Sequence, residues 1–501
     1  MQKIISGIFG LVLLSPLAAF AQNEIDALRY GQVTTGATAL SLSLGGAGGS
    51  MGGDFSSLSI NPAGIGVYRT SEIMFTPTLR FNGNKGTYLG TDNTDDNTKF
   101  NVSNFGIVFA KSAAGREYGR SDWKSFSLAI GYNRVADFND RVTYTGRNNE
   151  SSIAEIFAAD ARSNGVSDQN VPPLGFLGYQ GFVIDDNYNS IVPYTDGLQQ
   201  TKTIRSNGGI GEWVFSVGGN YREKLLLGAT LGLQSYKYER DINFLEEDIS
   251  GKTNNHFDYI SYNEYLSTTG FGVNLKLGAI YVVNDMLKIG LAAHTPTWAS
   301  FTDMGDYNIE TNTETYKADI GYQDTNPETF AQPEYTSQFN YNLRTPWRAV
   351  LSSTLTLGRN GMITADYEYV DYASMRYSME SQYGDYERAV NNAIKDAFRA
   401  GHNFRIGAEG RMKNLMGRLG FAYYTSPFRE AAAFDGQRVD LSAGIGARFG
   451  AFFMDLAYVH SIYKVGDYAY PALASDVPPM VASLNYGRNI VALTLGFKLG
   501  R

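Results

Sequence analysis

The sequence predicts an all-β fold: a transmembrane antiparallel β-barrel of about fourteen strands with an N-terminal hatch inside the lumen. Three observations point there. Apolar and polar residues alternate along most of the chain, short connections alternate with long ones, and no stretch after the leader approaches ~20 uninterrupted apolar residues. Any membrane crossing therefore falls to strands, which must close on themselves to pair their backbone groups in lipid.

The first 21 residues read as a secretory signal peptide. Lys3 supplies the positive charge, Ile4 to Ala18 the apolar run, and Ala19-Phe20-Ala21 the small residues before a cleavage point at Gln22. Gln22 is not Cys, so a lipid anchor is not expected.

Residues 22–70 form the expected hatch. Gly45-Gly46-Ala47-Gly48-Gly49-Ser50-Met51-Gly52-Gly53 lacks the Gly-Lys-Ser/Thr of a phosphate loop, and it suits close backbone approach instead. Asn61-Pro62-Ala63-Gly64 follows as a turn, with Pro62 fixing its own φ and keeping Asn61 extended.

The barrel occupies 71–501, with strands expected near 72–82, 103–112, 124–134, 211–221, 225–240, 266–282, 285–297, 336–357, 361–377, 403–412, 416–426, 436–448, 451–463 and 487–500. In each, one face is greasy and the other polar: Phe271, Val273, Leu275 and Leu277 oppose Gly272, Asn274, Lys276 and Gly278. Tight turns such as 222–224, 283–284, 358–360, 413–415 and 449–450 alternate with the longer connections 83–102, 135–210, 241–265, 298–335, 378–402, 427–435 and 464–486. Short turns at one end and long loops at the other is the outer-membrane barrel pattern. The polar face carries Asp366, Glu368, Arg405, Glu409, Arg411 and Asp455. These read first as paired wall charges, with Asp366, Glu368, Arg405 and Glu409 as the candidates for ligand contact.

Two loop segments change period. Within 385–400, Val390, Ile394 and Phe398 lie on one helical face, and Ile153, Ile156, Phe157 and Ala161 do the same within 152–162. External helices of this kind could collect apolar ligand or pack as a lid.

Composition excludes other classes. No Cys and four His leave little for metal or cofactor chemistry, so no cofactor is expected, and a net charge of −8 disfavours nucleic acid. The one His-Ser neighbour pair, His460-Ser461, points to opposite faces of a strand, so no enzyme activity is expected. A mean hydropathy of −0.24 averages a greasy outside with a polar inside, and the 34 Tyr and 29 Phe suit interfacial girdles.

The leader, the Gly-rich run, Asn61 to Gly64 and the set of amphipathic strands together resemble the FadL/OmpP1/TodX family of outer-membrane transporters of long-chain fatty acids and aromatic hydrocarbons. Further segments carry the likeness: Ala293 to Trp298, Arg344 to Arg348, Asp366 to Tyr372 and Arg405 to Glu409. The resemblance implies passive, ligand-gated transport of a hydrophobic molecule that exits sideways through a gap at a kinked strand. Asn61, Pro62 and Ala63 would be the hatch motif. The third strand, 124–134, is the kink candidate, with Gly131 its only Gly or Pro. Implied partners are the small-molecule ligand, outer-membrane lipid and lipopolysaccharide, and the barrel-assembly machinery. Bacteroidetes-type members are often labelled hemin receptors. A heme receptor, using His294 or His402, and a secretion-system barrel that docks proteins are the alternatives.

Overall fold

The computed structural model describes residues 23–34, 37–429, 436–470 and 480–500; the expected signal peptide lies outside the described residues. The described residues form one closed antiparallel sheet of nineteen strand segments in which the first pairs with the last. The segments are β1 (Ser71–Tyr88), β2 (Thr91–Ser112), β3 (Trp123–Asp137), β4 (Asp140–Asn148), β5 (Leu198–Tyr221), β6 (Leu225–Asp248), β7 (Tyr259–Val282), β8 (Leu287–His294), β9 (Trp298–Asn312) and β10 (Glu328–Ala331). They continue with β11 (Ser337–Arg344), β12 (Arg348–Thr356), β13 (Gly361–Asp371), β14 (Arg376–Ser378), β15 (Ala400–Met412), β16 (Leu415–Tyr424), β17 (Arg438–Phe449), β18 (Phe452–Tyr468) and β19 (Val481–Leu499).

These make fourteen staves. β3 and β4 both pair with β5 and form one broken stave. β8 and β9 both pair with β7, β11 and β12 lie against that broken stave, and β13 and β14 continue the pattern. The fourteen-strand expectation holds, but three expected strands are interrupted at Thr295-Pro296-Thr297, Thr345-Pro346-Trp347 and 372–375. Proline has no N–H to give a ladder, so each proline-bearing break falls where pairing must lapse.

Four expected loops contain strand extensions. The connection expected over 83–102 is a hairpin closed by Leu89-Gly90, both at positive φ. β4 and β5 take the two ends of 135–210, β6 and β7 extend into 241–265, and β9 fills the start of 298–335. β5, β6 and β7 each run 24 residues, about 80 Å of strand, far more than a ~30 Å hydrocarbon core needs even with tilt. Outside the bilayer both faces of a strand can be polar, so alternation disappears while the ladder continues.

The outward face carries the apolar belt: Ile73, Phe75 and Leu79 on β1, Leu275 and Leu277 on β7, and Leu456 on β18 are all exposed. Aromatic residues Trp213, Trp298, Trp347 and Tyr458 stand exposed on the same face.

Inside lies the N-terminal segment: α1 (Glu24–Gly31), α2 (Ala39–Ser43), α3 (Ser57–Ile60) and a 3₁₀ turn over Pro62–Val67. Asn23 caps α1 in a capping box with Asp26. The external connections hold α5 (Ile153–Asn164), α6 (Leu174–Gln180), α7 (Tyr316–Asp319) and α8 (Gly384–Ala397), while α4 (Gly115–Arg120) lies in the connection after β2. Ser152 and Glu155 cap α5, and Gly165 at φ +74° ends it.

The lumen wall accepts this plug through rows of glycine. Gly218, Gly228 and Gly278 are direct ladder partners on β5, β6 and β7. A Cβ on Gly228 would lie 2.3 Å from the Pro62 carbonyl oxygen, and one on Gly278 2.0 Å from Asn61 Oδ1. Gly106 and Gly131, paired across β2 and β3, likewise admit the Phe55 ring. Gly278→Val should therefore dislodge the plug from an intact barrel. Cells carrying it should become permeable to a large hydrophilic antibiotic, whereas Gly410→Ala, at a site with open space, should not; equal permeability of both variants would contradict this packing.

Candidate functional site

The Asn61-Pro62-Ala63-Gly64 turn sits at the contact between plug and wall. Asn61 Oδ1 accepts from Ala63 N at 3.2 Å, closing an Asx-type turn, while Nδ2 donates to Gly49 O at 2.7 Å and to Ala279 O of β7 at 3.3 Å. One amide thus joins the turn, the Gly-rich run and the barrel. Gly64 packs where its Cβ would meet Ser57 at 2.7 Å.

Asp366 faces inward from β13 and its carboxylate accepts from Gly48 N (3.0 Å) and Gly49 N (3.0 and 3.2 Å). It is a clamp on the plug backbone. Further contacts encircle the plug: Ala39 N to Thr494 Oγ1 at 2.7 Å, Ser50 to Thr354 at 2.8 Å, Ser125 Oγ to Gly66 O at 2.8 Å and Arg348 to Gly31 O at 2.6 Å. Within the plug, Asp54 accepts from Thr38 Oγ1 and Ser56 N, and burial pushes its carboxyl up.

The remaining candidate charges of the lumen wall are paired with one another. Glu368 stands 3.5 Å from Arg405 and 3.7 Å from Arg348, and accepts from Asn403 at 2.8 Å. Arg418 bridges Glu409 (2.8 Å) and Asp455 (2.7 Å), and Glu409 also meets Arg411. Lys276 and Glu212 pair at 2.5 Å, with Gln234 and Asn274 satisfying the same carboxylate. Glu368, Arg405 and Glu409 are therefore wall pairs in this state, and Asp366 serves the plug. Periodicity alone places all four on one face; the cross-strand partners depend on register.

Above the plug, Tyr30 of α1 enters an aromatic cluster. Its ring stacks on Phe301 (4.8 Å, 26°) and meets Tyr236 and Phe138 edge-on (6.0 and 6.2 Å). Burial raises the Tyr30 phenol above its ordinary range. Tyr341, Phe339 and Tyr377 extend the cluster, and Val390 and Ile394 of α8, with Phe398, close it. The apolar face of that helix is turned inward and buried. The sequence carries no sign of this cluster, because Tyr236, Phe339, Tyr341 and Tyr377 read as ordinary strand residues while Tyr30, Phe138 and Phe301 lie in the expected hatch and loops.

Beside the cluster, a narrow cavity reaches from Tyr30 and Thr34 past Lys276 and Arg348 to Val135 on the third stave. There the wall is incomplete. β2 pairs with β3 only from Asn104/Asn133 to Ser112/Ser125, and no ladder joins β2 to β4. The stave bulges between Arg134 and Ala136 and breaks after Asp137. The kink thus lies just past the expected strand 124–134, and Gly131 takes no part in it, serving instead to seat Phe55. Side chains bridge the gap. Asp137 meets Arg80 (3.0 Å), Arg134 (3.1 Å) and Asn101 Nδ2 (2.7 Å). Asn93 and Asp95 of β2 accept from Thr145 N at 3.0 Å and Thr143 N at 2.5 Å of β4, and from β1 Asn84 donates to Arg141 O at 2.7 Å. The plug reaches this point too, with Thr34 N donating to the Val135 carbonyl at 2.7 Å.

Neither heme candidate is placed for it. His294 is buried with Nε2 at 2.9 Å from Ile60 O, and His402 is bonded to Tyr367 beside Phe404 on the outward face.

No known sequence family and no curated protein matches the chain. Solved structures do match in fold. A Pseudomonas aeruginosa FadL homologue aligns over 94% of this chain and 99% of its own, at 12% identity and a TM-score of 0.56. The Ralstonia pickettii toluene transporter TbuX covers 93% and 99% (12%, 0.50), as does the Pseudomonas putida toluene transporter TodX (10%, 0.50). The fold is FadL-type.

Glu368→Ala leaves Arg405 and Arg348 buried without their carboxylate and should cost about 3 kcal/mol, read by denaturant unfolding. Arg411→Ala, at a half-exposed partner of Glu409, should cost under about 1 kcal/mol; a reversed order would contradict the assignment of buried pairing.

Proposed function

We propose that this chain is a passive outer-membrane channel for hydrophobic small molecules. The observation that carries the reading is the adjacency of an aromatic chamber, a plug residue filling it and a wall break beside it. Tyr30 holds the place an aromatic ligand would take, and a ring entering the chamber would exchange for it. Lys276 and Arg348 are neutralised by Glu212 and Glu368, so the chamber offers apolar and aromatic contact rather than a free cation for a carboxylate. That chemistry favours aromatic hydrocarbons over fatty acids, and matches what TbuX and TodX, toluene transporters by name, carry.

Ligand would then pass Thr34 and Val135 and leave through the gap between β2 and β4. The edges there are joined by side chains, which separate without unzipping a strand ladder. An apolar molecule also gains by entering lipid rather than crossing water. No energy source enters this path, since the gradient of the ligand suffices. The plug motif Asn61-Pro62-Ala63-Gly64 acts as the anchor about which the N-terminal part of the plug moves. Outer-membrane lipid, lipopolysaccharide and the barrel-assembly machinery are partners on the same reading. A heme receptor is not favoured, given the placement of His294 and His402.

Two experiments test this. A deletion strain should lose growth on a monoaromatic hydrocarbon and keep heme-limited growth; the opposite pattern would overturn the ligand class. In a chain without Cys, Asn101→Cys with Asp137→Cys places a disulfide across the gap. Oxidation should reduce hydrocarbon uptake at least tenfold and reductant should restore it, whereas uptake indifferent to the crosslink would rule out lateral exit.

A further inference from the structure

The external mouth of the barrel is corked. Ile153, Ile156, Phe157 and Ala161 of α5 and Leu174 and Leu177 of α6 are fully buried against Phe244, Ile260, Tyr262 and Ile309 of the tall staves. The α5 end is fixed from below by Glu246, whose carboxylate accepts from Ser152 Oγ, Ile153 N and Gln200 Nε2. A greasy molecule arriving from outside meets a packed core there, not an opening.

The wall is unequal in height. β5, β6 and β7 have 24 residues, whereas β15, β16 and β17 have 13, 10 and 12. On the low side β14 pairs with β11 along one edge and with no strand along the other. That second edge is covered by α8. The Asn391 amide imitates a strand neighbour: Oδ1 accepts from Tyr377 N at 2.8 Å and Nδ2 donates to Tyr377 O at 3.0 Å. Glu387 accepts from Met379 N at 2.8 Å. A helix held by two side chains thus stands where a strand ladder would otherwise be.

The helix is built for that position. Tyr386, Val390 and Ile394 are buried on its inner face, toward Leu28 and Tyr30 of α1, while Asp385, Arg388, Lys395 and Asp396 are exposed on the outer. Its C-terminal end joins β15 at Ala400, the ladder partner of Asp371, next to the breaks flanked by Trp298 and Trp347. The exposed aromatics put that level at the outer edge of the bilayer. Tyr377 Oη also donates to Asn23 O at 3.1 Å, so the strand edge, the lid and the start of the plug meet at one point.

We infer that α8 is a side lid through which apolar, aromatic ligand reaches the chamber from the outer leaflet, between β14 and β15, bypassing the corked mouth. The inference rests on the channel reading above and adds the route of access. Lifting α8 breaks the Asn391 and Glu387 contacts to the edge, withdraws Tyr386, Val390 and Ile394 from the aromatic cluster and bares that cluster to the headgroup layer, without unzipping a strand ladder. Lifting α5 would instead pull Ile153, Ile156, Phe157 and Ala161 and the helix beside it out of the cork.

The test uses the full chain in nanodiscs and N-phenyl-1-naphthylamine, which brightens on leaving water, with association followed by stopped flow. Three forms are compared: the native chain, Asn391→Ala with Glu387→Ala, and Ser378→Cys with Arg388→Cys joined by a short reducible thiol crosslinker. All are checked for barrel folding by heat-shifted gel mobility. The unlatched form should take up and release the probe at least fivefold faster at similar affinity. The tethered form should be at least tenfold slower until reduced. If the unlatched form does not fold, the tethered form decides alone. Binding at one rate in every form would overturn the lid and leave the channel reading intact. Absence of probe binding in every form would overturn the channel reading, and the lid with it.

Discussion

Every backbone N–H and C=O inside a bilayer must find a partner within the protein, and the architecture follows from that requirement. Pairing β1 with β19 closes the sheet end to end, so the first and last strands are not edges. Closure of fourteen staves creates a lumen too wide for its own side chains to fill. The N-terminal segment fills it and satisfies its own backbone against the wall, most directly through Asp366 and Asn61. Glycine rows let the two backbones approach. Gly228 and Gly278 leave room for the Pro62 and Asn61 atoms that any side chain would displace.

The exceptions to the ladder are where the proposed function concentrates. Between β2 and β4, and again along β14, backbone pairing gives way to side chains: Asp137, Asn93 and Asp95 in one place, Asn391 and Glu387 in the other. A ladder opens only cooperatively, many bonds at once; a few side-chain bonds, each of modest net worth, can be exchanged with water one at a time. Both exceptions border the aromatic cluster around Tyr30, one through the cavity reaching Val135 and the other through α8. An access route and an exit route on different arcs of one wall would let a hydrophobic solute move between lipid and lumen without meeting bulk water.

Much of this was legible in the sequence. Alternation identified the staves wherever one face meets lipid, and helical spacing identified α5 and α8 with the apolar faces they bury. Where the staves rise above the bilayer, as in Thr91 to Lys99, both faces are polar and period-two contrast vanishes, and in Thr302 to Asn312 only Tyr307 and Ile309 mark an apolar face, so those segments read as loops. The break at Thr345-Pro346-Trp347 was hidden inside the strand-like run 336–357 and that at Thr295-Pro296-Thr297 fell at the end of the expected strand 285–297; across each the inward face changes between even and odd positions, from His294 to Ala299 and from Leu343 to Arg348. The third-stave kink carries no Gly or Pro signal; it arises from a bulge at Arg134 to Ala136, a matter of register with β5. Neither the Glu368–Arg405 pairing nor the Asn391 contact to Tyr377 could be read before the register was known.

The central claim is that a hydrophobic molecule leaves the lumen sideways, beside the third stave, and not downward through the plug. Photoaffinity labelling addresses it directly. A diazirine-bearing aromatic hydrocarbon, allowed to flow through the channel in intact outer membranes and then flashed, marks the residues it passes. The account predicts adducts on Tyr30, Val135 and the facing edges of β2 and β4, around Asn101 and Asp137. Adducts on Gly64 to Val67 and the inner ends of β5 and β6, with none at that edge, would contradict it.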